Sequence, residues 1–292
     1  IVHVADPEDA PGVADLSARY AAALAERFWP GPLTMVLPKN PTIPDLATSG
    51  LPTVAVRCPA NVVAREIIRR AGVPVAAPSA NPFGYLSPTR AGHVVAQLGS
   101  RVDYIVDGGR CSVGVESTVV DLSCDPPLVL RPGGLPVELI ATVIPSIEVF
   151  DRSTTSPRAP GPLPSHYAPV LPLHLVDAGG LSSVGPAVPA VAICFGSASA
   201  EREAARGVWV RVVDLSPARE PVEAAARLFD VLHTLDSGAS VQASLRSLSP
   251  SATVAENGSG AVSSGTHVEL WAERLPDQGL GRAVNDRLYK AS

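Results

Sequence analysis

Between Arg152 and Pro172 the chain is crowded with Pro, Ser and Thr and shows no apolar periodicity. Such a composition buries too little surface to fold alone, so it reads as a connector that obliges the flanking segments to build separate cores. The expected parts are a first domain over 1–150, a linker over 151–172 and a second domain over 173–292. With 292 residues and 46% hydrophobic content, there is enough apolar material for both. No uncharged apolar run reaches the roughly 18 residues of a membrane span, so a soluble protein without a membrane partner is expected. The net charge of −5 is spread evenly, and neither half is a basic segment of the kind that advertises nucleic acid. Cys58, Cys111, Cys124 and Cys194 lie far apart with no C-x-x-C pair, which argues against a zinc ribbon or a disulfide framework and for a reduced, cytoplasmic setting. The only methionine is Met35, so Ile1 is not expected to be a native translation start, and a targeting peptide upstream of it would not be seen.

Elements alternate between the two periodicities. Val13, Leu16, Tyr20, Leu24 and Phe28 recur at helical spacing and predict one amphipathic helix closed by Pro30 and Gly31. Thr34–Leu37 predicts a strand. Thr53–Arg57 alternates strictly, placing Val54 and Val56 on the core face and Thr53, Ala55 and Arg57 on the other. A helix Asn61–Ala71 ending at Gly72, a buried strand Val73–Ala77, and a helix Thr89–Leu98 capped by Ser87-Pro88 follow. Further strands are expected at Tyr104–Val106, Gly114–Leu122 and Leu128–Leu130. Beyond the linker, strands at Leu173–Val176, Val191–Phe195, Val208–Val213 and His267–Glu273 with a helix Glu220–Leu235 suggest a smaller doubly wound domain. Residues 239–265, rich in Ser, Ala and Gly, read as a disordered insertion.

Candidate chemistry gathers in the first domain. The segment Ala76-Ala77-Pro78-Ser79-Ala80-Asn81 and the Ser87-Pro88-Thr89 step place hydroxyls and amides at a strand end and a helix start, where anions bind; turn capping is the simpler account of each alone. Arg57 projects with Thr53 and, if buried, requires an anion, whereas on an edge strand it would face solvent. Arg131 stands at a strand end before Gly133-Gly134, with a surface ion pair as its bland reading. In Glu116-Ser117-Thr118-Val119-Val120-Asp121, Ser117 and Asp121 share one face and Glu116 and Thr118 the other, suited to a polar substrate, to indirect Mg²⁺ contact or simply to cross-strand hydrogen bonds. The six histidines show no metal-ligand spacing. With only Lys39 and Lys290 as lysines, phosphate recognition rests on arginine and backbone amides.

Taken in order, Phe28-Trp29-Pro30-Gly31-Pro32-Leu33-Thr34, Val54-Ala55-Val56-Arg57, Ala77-Pro78-Ser79-Ala80-Asn81, Ser87-Pro88-Thr89, Asp107-Gly108-Gly109, the Glu116–Asp121 string and Leu130-Arg131-Pro132-Gly133 resemble the YrdC/Sua5 family. Ala159-Pro160-Gly161 with Ser165-His166-Tyr167-Ala168-Pro169 resembles the linker of its longer Sua5 form. Gly279-Leu280-Gly281-Arg282-Ala283-Val284-Asn285-Asp286-Arg287-Leu288 resembles the end of its C-terminal domain. The resemblance implies an α/β fold: a YrdC-like open twisted mixed sheet with flanking helices, then a smaller Rossmann-like α/β Sua5 domain. It implies a nucleotidyltransferase that makes L-threonylcarbamoyladenylate from L-threonine, bicarbonate and ATP, with Mg²⁺ accompanying ATP and pyrophosphate released. The product passes to the tRNA threonylcarbamoyl-transferase complex for t6A modification of tRNA position 37. By the same resemblance Thr53, Ser79, Ser87 and Arg131 contact ATP; Arg57, Ala77 and Ser117 hold threonine; His166 and Tyr167 carry the linker over the site. It implies neither a covalent nucleophile nor a metal bound by the protein alone.

Three departures from the family pattern stand out. Relatives begin with a Pro-Thr-Glu-Thr-x-Tyr-Gly-Leu strand and a Lys-x-Arg-Pro segment, and Ile1-Val2-His3-Val4 falls just downstream of these, so the expectation is a first domain lacking its N-terminal part. Phe83 replaces a small polar residue and is expected to narrow the pocket, and Pro162-Leu163-Pro164-Ser165 replaces basic and aromatic residues. The alternatives are a catalytically impaired module that binds nucleotide, tRNA or double-stranded RNA, and a carbamoyl-transfer domain of the hydrogenase-maturation kind, which the linker and C-terminus disfavour.

Overall fold

The computed structural model describes residues 1–150, 167–237, 255–256, 262–263 and 268–292. Seven strands of the first domain form one mixed sheet: β1 (Val2–His3), β2 (Leu33–Pro38), β3 (Thr53–Arg57), β4 (Val75–Ala76), β5 (Thr118–Asp121), β6 (Leu128–Arg131) and β7 (Glu148–Val149), in the order β4-β1-β3-β2-β5-β6-β7. The β1/β3, β2/β5 and β6/β7 pairs are parallel and the rest antiparallel. Five helices accompany it: α1 (Ala21–Phe28), α2 (Asp45–Thr48), α3 (Val62–Ala71), α4 (Ala91–Leu98) and α5 (Val137–Ala141). β3 follows its alternation, with Val54 and Val56 buried against Leu24, Met35 and Val120 while Arg57 is half-buried on the other face. α3 starts where the Asn61 side chain accepts from Ala64 N at 3.0 Å and stops at Gly72, whose φ of +67° only glycine adopts without strain.

Several expected elements come out differently, and of the expected Gly114–Leu122 strand only β5 forms, leaving Glu116 and Ser117 in the loop before it. The helix predicted from Val13 is confined to α1; a 3₁₀ segment Pro7–Gly12 precedes it, Ala14 bridges to Lys39, and Tyr20 turns the chain at φ +73°. Val13 and Leu24 are nonetheless fully buried, so the apolar spacing reported burial rather than helix. The strand at Val73–Ala77 shrinks to β4 at the sheet edge, and Val73 is exposed rather than buried. Tyr104–Val106 forms no strand; Tyr104 is 91% exposed, and none of the sheet strands pairs with it. α4 begins at Ala91 after Arg90, so Ser87 is not its cap.

The second sheet is wholly parallel, β10-β9-β13-β8, from β8 (Leu173–Val176), β9 (Ala190–Cys194), β10 (Arg211–Asp214) and β13 (Glu269–Glu273). Every residue of β9 is buried, as a strand covered on both faces requires. Helices α6 (Ser197–Arg206), α7 (Pro221–Asp236) and α8 (Leu280–Ala291) flank it, of which only α7 was expected from periodicity. The 239–265 insertion lies outside the described residues except for the paired two-residue strands β11 (Ala255–Glu256) and β12 (Val262–Ser263).

α7 joins the two units. Its buried Leu228, Phe229 and Leu232 pack in a core that includes Leu86, with Tyr85 and Val115 of the first domain against it. At Gly114, φ is +78° and a Cβ would stand 2.3 Å from the carbonyl oxygen of Ala225, so only a residue without a side chain lets α7 approach this loop.

Candidate functional site

A hollow of about 450 Å³ opens between the Arg57 end of β3 and the loops 79–89 and 109–116. Arg57, Asn61, Ser79, Ser87, Thr89 and Glu116 are among its lining residues, with Gly109, Arg110 and Cys111 along one side. Local chemistry shapes each wall. Asn81 clamps the 81–85 turn by donating to the Pro82 and Tyr85 carbonyls at 3.1 and 2.9 Å, leaving Ser79 at the rim. The Asp107 carboxylate accepts from Gly109 N at 2.9 Å, and Asn61 donates to Gly108 O at 3.2 Å, tying that loop to α3.

Arg57 donates from Nε to Gly31 O at 3.0 Å, and Arg131 donates from Nη2 to Ser117 O at 2.9 Å and to Ser117 Oγ at 3.3 Å. Among the described residues neither guanidinium has a carboxylate partner. Burial, and then the positive charge of nearby Arg131, pull the Arg57 pKa below its ordinary value. Two half-buried cations close enough to repel, and without carboxylate partners, form a site for an anion.

Among the described lining residues Glu116 is the one carboxylate, and it is committed. Ser87 Oγ donates to its Oε1 at 2.5 Å and Arg287 of α8 donates from Nε to Oε2 at 2.7 Å. Burial alone would raise the pKa of Glu116, but Arg287, Arg131 and the Ser87 hydroxyl bring it down to about 2. Its backbone is pinned as well: Gly134 N donates to Glu116 O at 2.8 Å, and a Cβ at Gly133 would lie 2.4 Å from that oxygen. The 130–134 turn therefore needs glycine in order to close on the site.

The sequence-based site residues divide. Arg57, Ser79 and Ser87 line the hollow, and Arg131 stands behind Ser117 within electrostatic reach of Arg57 and Glu116. Ser117 is buried beneath, sharing a 2.8 Å hydrogen bond with Thr34 across the sheet. Thr53, paired with Pro38, sits at the far end of β3 from Arg57, and Ala77, whose N–H donates to Ile1 O at 3.1 Å, is exposed; neither is a lining residue. His166 lies outside the described residues. Tyr167 is embedded in the domain interface, its ring 5.6 Å from Phe229 and 5.2 Å from the Arg287 guanidinium carbon. Phe83 is 85% exposed and does not line the hollow, so it does not narrow it. Asp121 accepts from Ser123 N and Oγ at 2.8 and 2.6 Å, which makes it a turn cap.

Residues of the second domain were missed. Arg287, with no side-chain exposure, falls on the Leu280, Val284, Leu288 stripe of α8, and a charge on an apolar stripe is the signal that marks it. From α7, His233 Nε2 donates to Ser87 O at 3.1 Å and Asp230 meets Arg110 at 3.1 Å. His233 also stacks on His93 with ring centroids 3.9 Å apart.

Fold and site together define a two-domain α/β protein whose arginine- and hydroxyl-lined anion hollow is fastened from behind by its C-terminal domain. The Sua5/YciO/YrdC family model, described as "Telomere recombination", matches residues 1–133, and the model described as "Threonylcarbamoyl-AMP synthase, C-terminal domain" matches residues 135–292. The chain belongs to the Sua5/YrdC family, in the form that carries the Sua5 C-terminal domain. It is 46% identical over 181 residues to the threonylcarbamoyl-AMP synthase of Pyrococcus abyssi, covering 61% of this chain and 53% of that protein. It is 43% identical over 181 residues to that of Bacillus subtilis, covering 61% and 52%. The chain thus spans about half the length of the curated relatives it matches. The crystal structure of P. abyssi Sua5 complexed with L-threonine superposes with a TM-score of 0.77 at 35% identity, covering all of this chain and 79% of that one.

Proposed function

We propose that this protein is a nucleotidyltransferase that makes L-threonylcarbamoyladenylate from L-threonine, bicarbonate and ATP and releases pyrophosphate. The observation that carries the reading is the pair Arg57 and Arg131, two neighbouring half-buried guanidinium groups without carboxylate partners among the described residues, beside the Ser79 and Ser87 turns. The reaction brings together a carboxylate and a triphosphate, which repel unless fixed cations neutralise both. Relatives named threonylcarbamoyl-AMP synthase and a related structure holding L-threonine support the same assignment.

In this scheme Arg57 holds the threonine carboxylate, with Ser117 buried beneath that pocket, and Arg131, Ser79 and Ser87 serve ATP. The threonine amine condenses with bicarbonate, through CO₂, to give a carbamate and water; a carbamate oxygen bonds to the α-phosphorus, and the bond to the leaving pyrophosphate breaks. Arg131 and the loop amides offset the charge that builds on phosphorus. Cys111, the thiol in the hollow, has its pKa raised by burial, which suits a route without a covalent nucleophile. Mg²⁺ accompanying the triphosphate would offset part of its charge; Glu116, the carboxylate among the described lining residues, is already engaged by Ser87 and Arg287. The product goes to the tRNA threonylcarbamoyl-transferase step of t6A formation. Cytoplasmic residence fits that role, and among the described residues no helix is long and apolar enough to cross a membrane.

The test is pyrophosphate release by the natural protein. Release that requires both threonine and bicarbonate is expected. Tight ATP binding with no threonine-dependent pyrophosphate would instead favour a nucleotide- or RNA-binding protein without catalysis.

A further inference from the structure

Ser87 is held by the C-terminal domain directly at its carbonyl and, through Glu116, at its hydroxyl. Its carbonyl accepts from His233 Nε2 at 3.1 Å, and its hydroxyl reaches Glu116, whose other oxygen is held by Arg287 at 2.7 Å. Arg287 also donates from Nη1 to Pro132 O at 2.9 Å, fixing the residue after Arg131. One buried guanidinium therefore secures two walls of the hollow from behind.

The direction of the Ser87 hydrogen bond follows from this arrangement. Glu116 stands beside two cations and is a carboxylate, and a carboxylate only accepts. A serine hydroxyl has one proton and two lone pairs, so at 2.5 Å its proton is committed to Glu116 and only lone pairs remain for the hollow. Lone pairs repel a phosphate oxygen and attract an O–H. Arg131 draws the phosphates toward this hollow, and of the nucleotide's hydrogen-bond donors the sugar hydroxyls stand nearest its phosphates.

We propose that Arg287 is a positioning residue which, through Glu116, sets Ser87 as an acceptor for a sugar hydroxyl of the nucleotide rather than as a phosphate ligand. The inference rests on the nucleotide-binding reading above and specifies which part of the nucleotide Ser87 meets. It also gives the C-terminal domain a part in substrate recognition.

The test compares dissociation constants for ATP, 2′-deoxy-ATP, 3′-deoxy-ATP and inosine triphosphate in the full chain, in Ser87→Ala and in Arg287→Gln. The unaltered protein is expected to prefer ATP over one deoxy analogue by about tenfold, the scale of one hydrogen bond to a well-placed partner. Ser87→Ala should erase that preference, and Arg287→Gln should reduce it, because Glu116 loses the partner that holds its carboxylate in place to accept from Ser87. A merely structural role for Arg287 would weaken all four nucleotides alike and leave the ratio unchanged. Should Arg287→Gln fail to fold around an unpaired Glu116, the double variant Glu116→Gln/Arg287→Gln removes both charges and should lose the preference equally. The inference is overturned if Ser87→Ala weakens ATP and both deoxy analogues by the same factor, or if the only discrimination Ser87 supports is against inosine triphosphate. Failure of the unaltered protein to bind ATP overturns the functional reading and this inference with it. ATP binding without sugar discrimination overturns this inference alone.

Discussion

Gly114→Ala tests how closely α7 of the second domain presses on the loop that walls the hollow. The added methyl meets Ala225 O at 2.3 Å, Ala226 Cα at 2.4 Å and Ala226 C at 2.8 Å, all backbone atoms that no rotamer change can move. Ordinary contact begins near 3.4 Å, so loop and helix must separate by about an ångström, in the range where overpacking costs about 1–3 kcal/mol. The backbone at φ +78° adds about 1–2 kcal/mol for any residue with a Cβ. Together these predict about 2–5 kcal/mol and a melting temperature lower by roughly 5–15 °C. The control is Gly109→Ala in the same loop, with φ +84° and nothing within 4 Å of its new Cβ, which carries the conformational cost alone. Thermal and denaturant unfolding of the two variants isolates the contact by difference. Equal losses at Gly109 and Gly114 would mean that α7 does not press on the loop, and the reasoning would be refuted.

Acid should destabilise the protein in two windows. The pKa of His93 is lowered to about 4, first by burial and then by the charge of His233, and that of His233 is lowered chiefly by burial. The stability that neutral His93 carries is therefore complete above the ordinary value of 6.5 and lost as pH falls through about 4; replacing His93 with Gln should flatten that slope in pH-dependent unfolding. Glu116, lowered from 4.5 to about 2, contributes stability above pH 4.5 that disappears as pH falls through about 2, and Glu116→Gln should remove that second decline. Glu273→Gln should cost about 1–3 kcal/mol in denaturant titration, because the buried carboxylate accepts from Phe195 N, Ser199 Oγ and Gly179 N, and an amide cannot accept at both ends.

Much of the fold was legible because local pattern and burial agreed. Thr53–Arg57 formed the strand that its alternation demanded, Asn61 and Gly72 bounded α3, and Leu173–Val176 matched β8 to the residue. The misreadings arose where burial and regular structure part company. Val13 is in the core without being helical, because Ala14 and Asn40 claim its neighbourhood for a bridge to β2. The Val73–Ala77 run is apolar but lies on the sheet's edge, where β1 alone pairs with it. In the site, strand geometry put Arg57 on the right face, whereas Ser87 was legible as a polar residue and not as a partner of Glu116. Arg287 escaped because its meaning depends on residues far away in sequence; nothing within one turn of α8 shows that Glu116 is waiting for it.

The Arg287–Glu116 pair spans 171 residues. A ribosome adds about 5–20 residues per second, so Glu116 is made roughly 9–34 s before its counter-ion. During that interval the nascent first domain can form its sheet, but the carboxylate must stay hydrated and the 130–134 turn lacks its clasp. The hollow is thus completed last, by a residue from the far domain, and a chain interrupted before α8 would display the arginines without the finished wall that surrounds them.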